Sequence, residues 1–391
     1  MLNNGMRGKC LAGVFFSVAL LLQGQDGRLD PQSSVKFDLP ADSPVKLVSS
    51  DMGESRANVR GGAIMLDLHM SVTLRNEDRR HVRGVTLLLL SQEAAPFGKA
   101  SVTKVFDIAP GESFPMHVDV RMVRPVQNAG GPLVRVTLDG VLFDDLNFFG
   151  PNKLNSKRSL TVFESEARRD RSYFRQVLQA RGEQGLRQEV LASLERQAKR
   201  PQLDVTLARN RRTTTTAAVP GDTHEAAFAF LDLPDSPVQP LSGRAQVTGN
   251  EMREPRIDVM NRSKQAVRYL EIGWLVADEQ GRQFLAASVP AGDHDVAIAP
   301  GQRGQLMQDT ALRFQHPAAG GATPVNIQRM TGFVSQVEFT DGKVWVPSRQ
   351  ALQSQQLLPL LAPSPEEQRL TDLYRSKGLN SLIAELNRFR D

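Results

Sequence analysis

Histidine is the side chain best suited to proton transfer or metal ligation near neutral pH, and the chain has six: His69, His81, His117, His224, His294 and His316. A helical zinc pair needs the His-x-x-x-His spacing that puts two rings on one face, and these six never form it. His69 and His117 fall on outward positions of predicted strands, where they either pair across a sheet or stand as two exposed histidines. Gly292-Asp293-His294-Asp295 sets two carboxylates on one loop. Calcium takes roughly six to eight oxygens, so this loop is either a partial Ca²⁺ site or ordinary turn chemistry. Gly111-Glu112-Ser113 lacks the closing glycine of a nucleophile elbow and leads into a predicted strand, so Ser113 is not expected to act as a nucleophile. No dinucleotide fingerprint or phosphate loop occurs. The expectation is a protein with no catalytic, cofactor-binding or metal-ligating residue and no cofactor.

The single cysteine, Cys10, precedes an apolar run from Leu11 to Leu22, itself preceded by Arg7 and Lys9 and followed by Gln23, Gly24, Gln25 and Asp26. Charge, short apolar core and polar exit form the pattern of a secretory signal peptide, expected over 1–25. The run is short of the roughly 20 residues of a spanning helix. Gly24 suits the last position before cleavage and Leu22 is large for its place, so retention as an anchor is the competing reading. Either way the protein is expected to be exported, to a periplasmic, cell-envelope or secreted location, with no further membrane insertion. Past Cys10 there is no thiol, which removes disulfides, cysteine-based zinc sites and cysteine nucleophiles together.

A net charge of +5 spread over 391 residues is no nucleic-acid footprint, because a binder concentrates charge or interleaves it with stacking aromatics. The densest basic runs, Arg168-Arg169-Asp170-Arg171 and Arg209-Asn210-Arg211-Arg212, read as a solvated helix face and a linker. No nucleic-acid partner is expected.

Self-comparison supplies the organising feature. Asp38-Leu39-Pro40-Ala41-Asp42-Ser43-Pro44-Val45 recurs, one residue shorter, as Asp232-Leu233-Pro234-Asp235-Ser236-Pro237-Val238. Asn76 with Val82-Arg83 matches Asn261 with Val267-Arg268, and Ile108-Ala109-Pro110-Gly111 matches Ile298-Ala299-Pro300-Gly301. Asp139-Gly140 and Asp341-Gly342 follow as expected hairpin turns. Although both copies keep the Asp-Leu-Pro string, its prolines suit an edge strand or sheet entrance, and its Asp and Ser suit turn caps, so it reads as scaffold.

Between these landmarks Ile64, Leu66, Leu68, Met70, Val72 and Leu74 alternate with polar residues, the period-two signature of a half-buried strand. Val85, Leu87 and Leu89 continue the pattern, as do Phe114, Met116, Val118 and Val120, and in the second copy Leu270, Ile272, Trp274 and Val276. That register turns Trp274 inward and leaves Trp345 alone as a possible sugar platform. Helical periodicity follows each copy. Phe174, Val177, Leu178, Leu186, Val190 and Leu194 recur around Gly182 and Gly185. After a Ser364 cap and Pro365, Leu370, Leu373 and Tyr374 are followed by Gly378 and by Leu382, Ile383, Leu386 and Phe389. The expected class is mainly β with helical appendages: two tandem antiparallel Ig-like β-sandwiches, each followed by an amphipathic helical pair. The expected boundaries are 33–163 and 226–350 for the sandwiches, 164–200 and 363–391 for the helical pairs, and 201–225 for a linker.

Asn261, the strand Val267 to Ala277, Asp278-Glu279-Gln280-Gly281 and Ala299-Pro300-Gly301 resemble the FxLYD-type and related Ig-like modules of exported prokaryotic proteins of unknown function. Trp274-Leu275-Val276-Ala277-Asp278 stands where those modules carry the aromatic-x-apolar-Tyr-Asp string, with Ala277 in place of Tyr. Leu89-Leu90-Ser91-Gln92-Glu93 in the first copy departs further. The resemblance covers about a quarter of the chain and implies a fold and a surface location, with no catalytic residues.

These readings favour an exported, non-enzymatic interaction or scaffold protein whose partner is a protein or envelope component. The alternative is a hydrolase or carbohydrate-binding protein with a site between the two repeat units. The stripe of Leu382, Ile383, Leu386 and Phe389 either docks on a partner or covers the protein's own sandwich.

Overall fold

Alternation, turn chemistry and helical periodicity each find a place in a computed structural model, which describes residues 29, 34–91, 98–126, 131–201, 204–209, 223–292, 294–308, 310–316 and 323–389. Cys10 and the expected signal segment lie outside the described residues, as do Arg211, Arg212 and Asp293. The chain divides into two compact units, Met1–Asn152 and Lys153–Asp391.

The first unit is all β: β1 (Val35–Asp38), β2 (Val45–Asp51), β3 (Arg56–Arg60), β4 (Ala63–Asn76), β5 (Val82–Leu90), β6 (Lys99–Ile108), β7 (Ser113–Pro125), β8 (Val134–Phe143) and β9 (Phe148–Phe149). One sheet runs β1-β8-β5-β6 with β9 beside β8. In the other, β7 lies along one side of β4, and β2 and β3 lie along the other. The alternating residues Ile64 through Leu74 of β4 all turn inward. They join Val85, Leu87 and Leu89 of β5 and Phe114, Met116 and Val118 of β7 in one core fed by both sheets. The pleat explains this, since apolar residues two apart share a face.

The second unit opens with the long helix α1 (Ser156–Lys199) and continues with β10 (Asp204–Arg209), β11 (Thr223–Ala227), β12 (Ala229–Phe230), β13 (Val238–Thr248), β14 (Glu251–Asn261), β15 (Val267–Ala277) and β16 (Gln283–Pro290). It closes with β17 (Arg303–Met307), β18 (Thr310–His316), β19 (Thr323–Pro324), β20 (Arg329–Phe339), β21 (Val344–Trp345), α2 (Arg349–Ser354), α3 (Pro365–Lys377) and α4 (Leu379–Arg388). One sheet is β10-β18-β14-β13-β11, with β17 on β14 and β19 on β18. The other is β12-β20-β15-β16, with β21 on β20. Leu270, Ile272, Trp274 and Val276 face the core between them, as their register predicts.

Matched residues make matched hydrogen bonds in the two units. The Asn76 amide donates to the carbonyls of Arg80 (2.9 Å) and Ile108 (3.1 Å). The Asn261 amide donates to those of Gln265 (2.8 Å) and Ile298 (2.9 Å). The Gly111 N–H reaches the Asn76 carbonyl and the Gly301 N–H that of Asn261. Both glycines sit at positive φ in the turn that Pro-Gly predicts. The Asp-Leu-Pro strings are crossovers between sheets, from β1 to β2 and from β12 to β13. Ser43 and Ser236 fold each crossover by donating to the carbonyls of Val45 and Val238.

Several expectations need correction. The sheets are not wholly antiparallel: β1 pairs with β8, and β12 with β20, in parallel. Asp139-Gly140 is no turn but lies inside β8, with Asp139 buried. The turn comes at Asp144–Asn147, where the Phe143 N–H meets the Asn147 carbonyl, as the Phe339 N–H meets that of Lys343. Leu146 (φ 63) holds the left-handed position that Gly342 (φ 81) holds in the second unit. A leucine gives no turn signal, so a nearby Asp-Gly drew the assignment instead. The helix begins at Ser156 rather than 164, and the expected linker 201–225 contains β10, paired with β18. The break in α1 is at Gly182 (φ 65, ψ −169), the same backbone conformation as Gly378 (φ 81, ψ −178) between α3 and α4. That conformation is nearly confined to glycine. The two helical segments expected after separate sandwiches belong to one cluster: Phe174, Val177, Leu186 and Val190 of α1 pack with Leu370 of α3 and with Leu382 and Leu386 of α4. The C-terminal stripe is therefore occupied by α1.

Candidate functional site

The outer face of the β12-β20-β15-β16 sheet does not meet solvent along its whole length. Leu275 and Phe333 project from it and are covered by Ala351, Leu352 and Leu357 of α2 and the turn that follows. Beside this patch the first half of α1 spans the same face, and the space left between helix, sheet and the 347–362 segment is a cavity of about 350 Å³. That volume is at the low end of small-molecule pockets. Its apolar wall is Val162 and Phe163 of α1, Phe333 of β20, Pro347, Leu352, Leu361 and Ala362. Its polar wall is Ser159, Glu166 and Arg169 of α1, Glu271 of β15, Ser288 of β16, and Ser335 and Gln336 of β20.

The polar groups differ in how far they are already engaged. Glu271 accepts from the Tyr269 hydroxyl (2.6 Å) and the Ser288 hydroxyl (3.0 Å), and Ser288 also bonds Ser335. Burial pushes the Tyr269 phenol well above its ordinary pKa, with the Glu271 charge adding to the effect, so it serves as a fixed donor. Arg169 is turned to Asp170, with Nε and Nη2 at 3.0 and 3.1 Å from the two carboxylate oxygens, and Nη1 donates to the Pro347 carbonyl. Glu166 makes no hydrogen bond among the described residues. Loss of hydration raises its pKa, Arg169 opposes that shift, and the charges of Asp170 and Glu271 add to it. Gln336, which pairs across the strands with Glu271, is 7% exposed.

A network of buried charge fixes the cavity's helical wall. Asp170 is fully buried, 3.3 Å from Arg349 Nη1, and accepts from the Ser364 hydroxyl at 2.7 Å. Arg349 grips Glu367, which also accepts from Ser193 (2.6 Å). Ser364 caps α3 by accepting from the Glu367 N–H. Arg171, bonded to Glu164 at 2.9 Å and 3.4 Å from Glu366, lies over the Phe389 ring. The run Arg168-Arg169-Asp170-Arg171 is therefore not a solvated face, since Asp170 and Arg171 are buried and paired. Interleaving with Tyr173 and Phe174, and a second charge cluster at Arg349 and Glu366-Glu367, were the available signals.

The residues singled out in sequence lie elsewhere. His69 stands opposite Asp119, 3.0 Å from its carboxylate, and His117 opposite Ser71, so the two histidines do not pair. His81 meets Asp107 at 2.9 Å, His316 packs its ring on Phe284, and His224 and His294 are exposed. Ser113 is exposed at the start of β7. Asp295 is held by Arg158 and Arg268 at 2.9 and 2.8 Å, and its loop partner Asp293 lies outside the described residues. Among the described residues no three His, Cys, Asp or Glu side chains converge to hold a metal, and no histidine lines the cavity. Trp345 is half-buried at the edge of both cores of the second unit. No helix among the described residues is long and apolar enough to cross a membrane.

No protein-family model and no curated protein sequence matches the chain. Solved structures give distant matches. A β-glucosidase from Kluyveromyces marxianus is 8% identical over 70% of this chain and 45% of its own, with a TM-score of 0.14. A chain named pT26-6p is 8% identical over 85% and 72%, with a TM-score of 0.13. An allantoicase is 6% identical over 73% and 83%, with a TM-score of 0.08. This chain thus spans less than half of the β-glucosidase, and similarity this slight carries no argument about fold or activity.

Proposed function

We propose that the chain is an exported, non-enzymatic interaction protein built from tandem Ig-like β-sandwich modules, whose partner is a protein or another envelope component. The observation that carries this reading is the corner at Asn76 and its counterpart at Asn261. In each, one buried amide ties a strand end to the loop after it and to the carbonyl before a Pro-Gly turn. Two sheets around one core, joined by a proline-rich crossover, suit the module that the sequence resembles. Fold alone does not assign function. Support for binding over catalysis comes from the pairing of the polar groups: guanidinium with carboxylate, and hydroxyl with carboxylate, in arrangements that hold structure. The test is photo-crosslinking of the full chain in envelope fractions. One recurrent partner supports the proposal, and repeated recovery of none overturns it.

A hydrolase or carbohydrate-binding role is the second reading, favoured by the Ser288 hydroxyl 3.0 Å from Glu271 on the wall of a cavity that also holds Glu166. It ranks lower because a carboxylate already accepting two hydroxyl hydrogen bonds is a poor base for a serine, whose activation needs a base titrating near the working pH. Turnover of aryl esters or glycosides, lost in Ser288→Ala or Glu166→Gln, would promote it.

A further inference from the structure

We propose that the cavity between α1 and the outer face of the β12-β20-β15-β16 sheet binds a small organic cation, a primary ammonium on an apolar body. The ammonium lies against Glu166, and the body against Phe163, Phe333 and Leu361. The inference is independent of the macromolecular partner proposed above, because it concerns a small-molecule pocket within the second unit.

Two observations converge. The cavity has the volume of a small ligand site, and half of the residues that line it are apolar. Its charge balance is negative: Arg169 is hydrogen-bonded to Asp170, while Glu271 is held by neutral hydroxyls and Glu166 has no hydrogen-bond donor among the described residues. Gln336, on the cavity lining beside Glu271, offers both a donor and an acceptor to a bound group. An ammonium supplies three donors, enough to engage Glu166 and the Gln336 oxygen together. An anion would meet two carboxylates. A neutral ligand would leave Glu166 unpaired and further dehydrated, which costs more than exposure does.

Isothermal titration of the full chain with phenethylammonium, 3-phenylpropionate and 2-phenylethanol tests this, since the three share one body and differ in head group. The ammonium is expected to bind at least about tenfold tighter than the other two, in line with one charge-assisted hydrogen bond. Glu166→Gln should remove that preference, and Glu195→Gln, on the exposed end of α1, should leave it intact. Ala362→Trp, on the cavity lining, should weaken all three ligands and serves as a second route if Glu166→Gln does not fold. Equal binding of the alcohol, tighter binding of the carboxylate, no detectable heat with the ammonium, or indifference to both Glu166→Gln and Ala362→Trp would each overturn the proposal. Crosslinking can fail while this titration succeeds, and the reverse, so the two readings fall separately.

Discussion

Arg349 and Glu367 face each other as two planar forks, Nη1 2.9 Å from Oε2 and Nη2 2.9 Å from Oε1, in a site where both side chains are buried. Removing one half strands the other charge away from water. Glu367→Ala is expected to destabilise the second unit by about 3–5 kcal/mol, while Arg349→Met with Glu367→Leu recovers most of that loss. Chemical denaturation of the single and double variants checks it. A double variant as unstable as the sum of the singles would contradict the pairing.

Two carboxylates of the second unit should pull stability in opposite directions with pH. Burial alone would raise the Glu367 pKa, but the hydrogen bonds and charge of Arg349, with Ser193 and Arg196, hold it below the ordinary 4.5. Its contribution is present above that value and is lost as pH falls through the lowered one. Glu166 is the reverse case. Its pKa is raised above 4.5, so its contribution is present below 4.5 and is lost as pH rises through the raised value. Glu166→Gln should raise the melting temperature at neutral pH and leave it unchanged near pH 4, which thermal scans across pH will read.

Cation binding should carry the same sign. The groups around Glu166 are Arg169 and Asp170 on its own helix and Glu271 from the sheet. An ammonium beside it favours the ionised form, while the amine itself stays charged up to about pH 10. Affinity for phenethylammonium should therefore rise as pH is raised through the Glu166 titration, with proton release seen as a buffer-dependent heat.

Asn76→Ala and Asn261→Ala each delete two hydrogen bonds donated to carbonyls, together with those accepted from the Asp78 N–H and from the Ser263 N–H and hydroxyl. A loss of at least about 2–3 kcal/mol is expected from the two donated bonds, at roughly 1–1.5 kcal/mol per bond. Hydrogen exchange should locate the first effect in residues 34–152 and the second in 153–389.

Leu146 occupies a left-handed conformation that disfavours a side chain, in the turn where the second unit has Gly342. Leu146→Gly should stabilise the first unit by about 1 kcal/mol, read as an upward shift in its unfolding midpoint.

What could be read in the sequence followed what is local. Ile64 to Leu74 announced β4 by period two, Pro110-Gly111 and Pro300-Gly301 announced their turns, and Ser364-Pro365 announced the start of α3. What escaped depends on distant partners. The adjacent Tyr173 and Phe174 mark Arg168–Arg171 as interleaved with aromatics but do not say that Ser364, Glu366 and Arg349 will come to meet it, and charge runs usually end in solvent. The cavity escaped for the same reason, because Glu166, Glu271 and Gln336 sit on three elements far apart in the chain. Leu146 shows a third kind of failure, a turn whose strained residue carries no turn chemistry.

The helix α1 is made before any strand of the second unit, yet the residues that pair with its Asp170, Arg349 and Ser364, and those that pack on it, Leu370, Leu382 and Leu386, are made only after all of those strands. Non-local closure of this kind is slow and comes late. On the ribosome the first unit has all its strands by Phe149 and can settle early. The second must wait with Asp170 still in water until the C-terminal helices emerge.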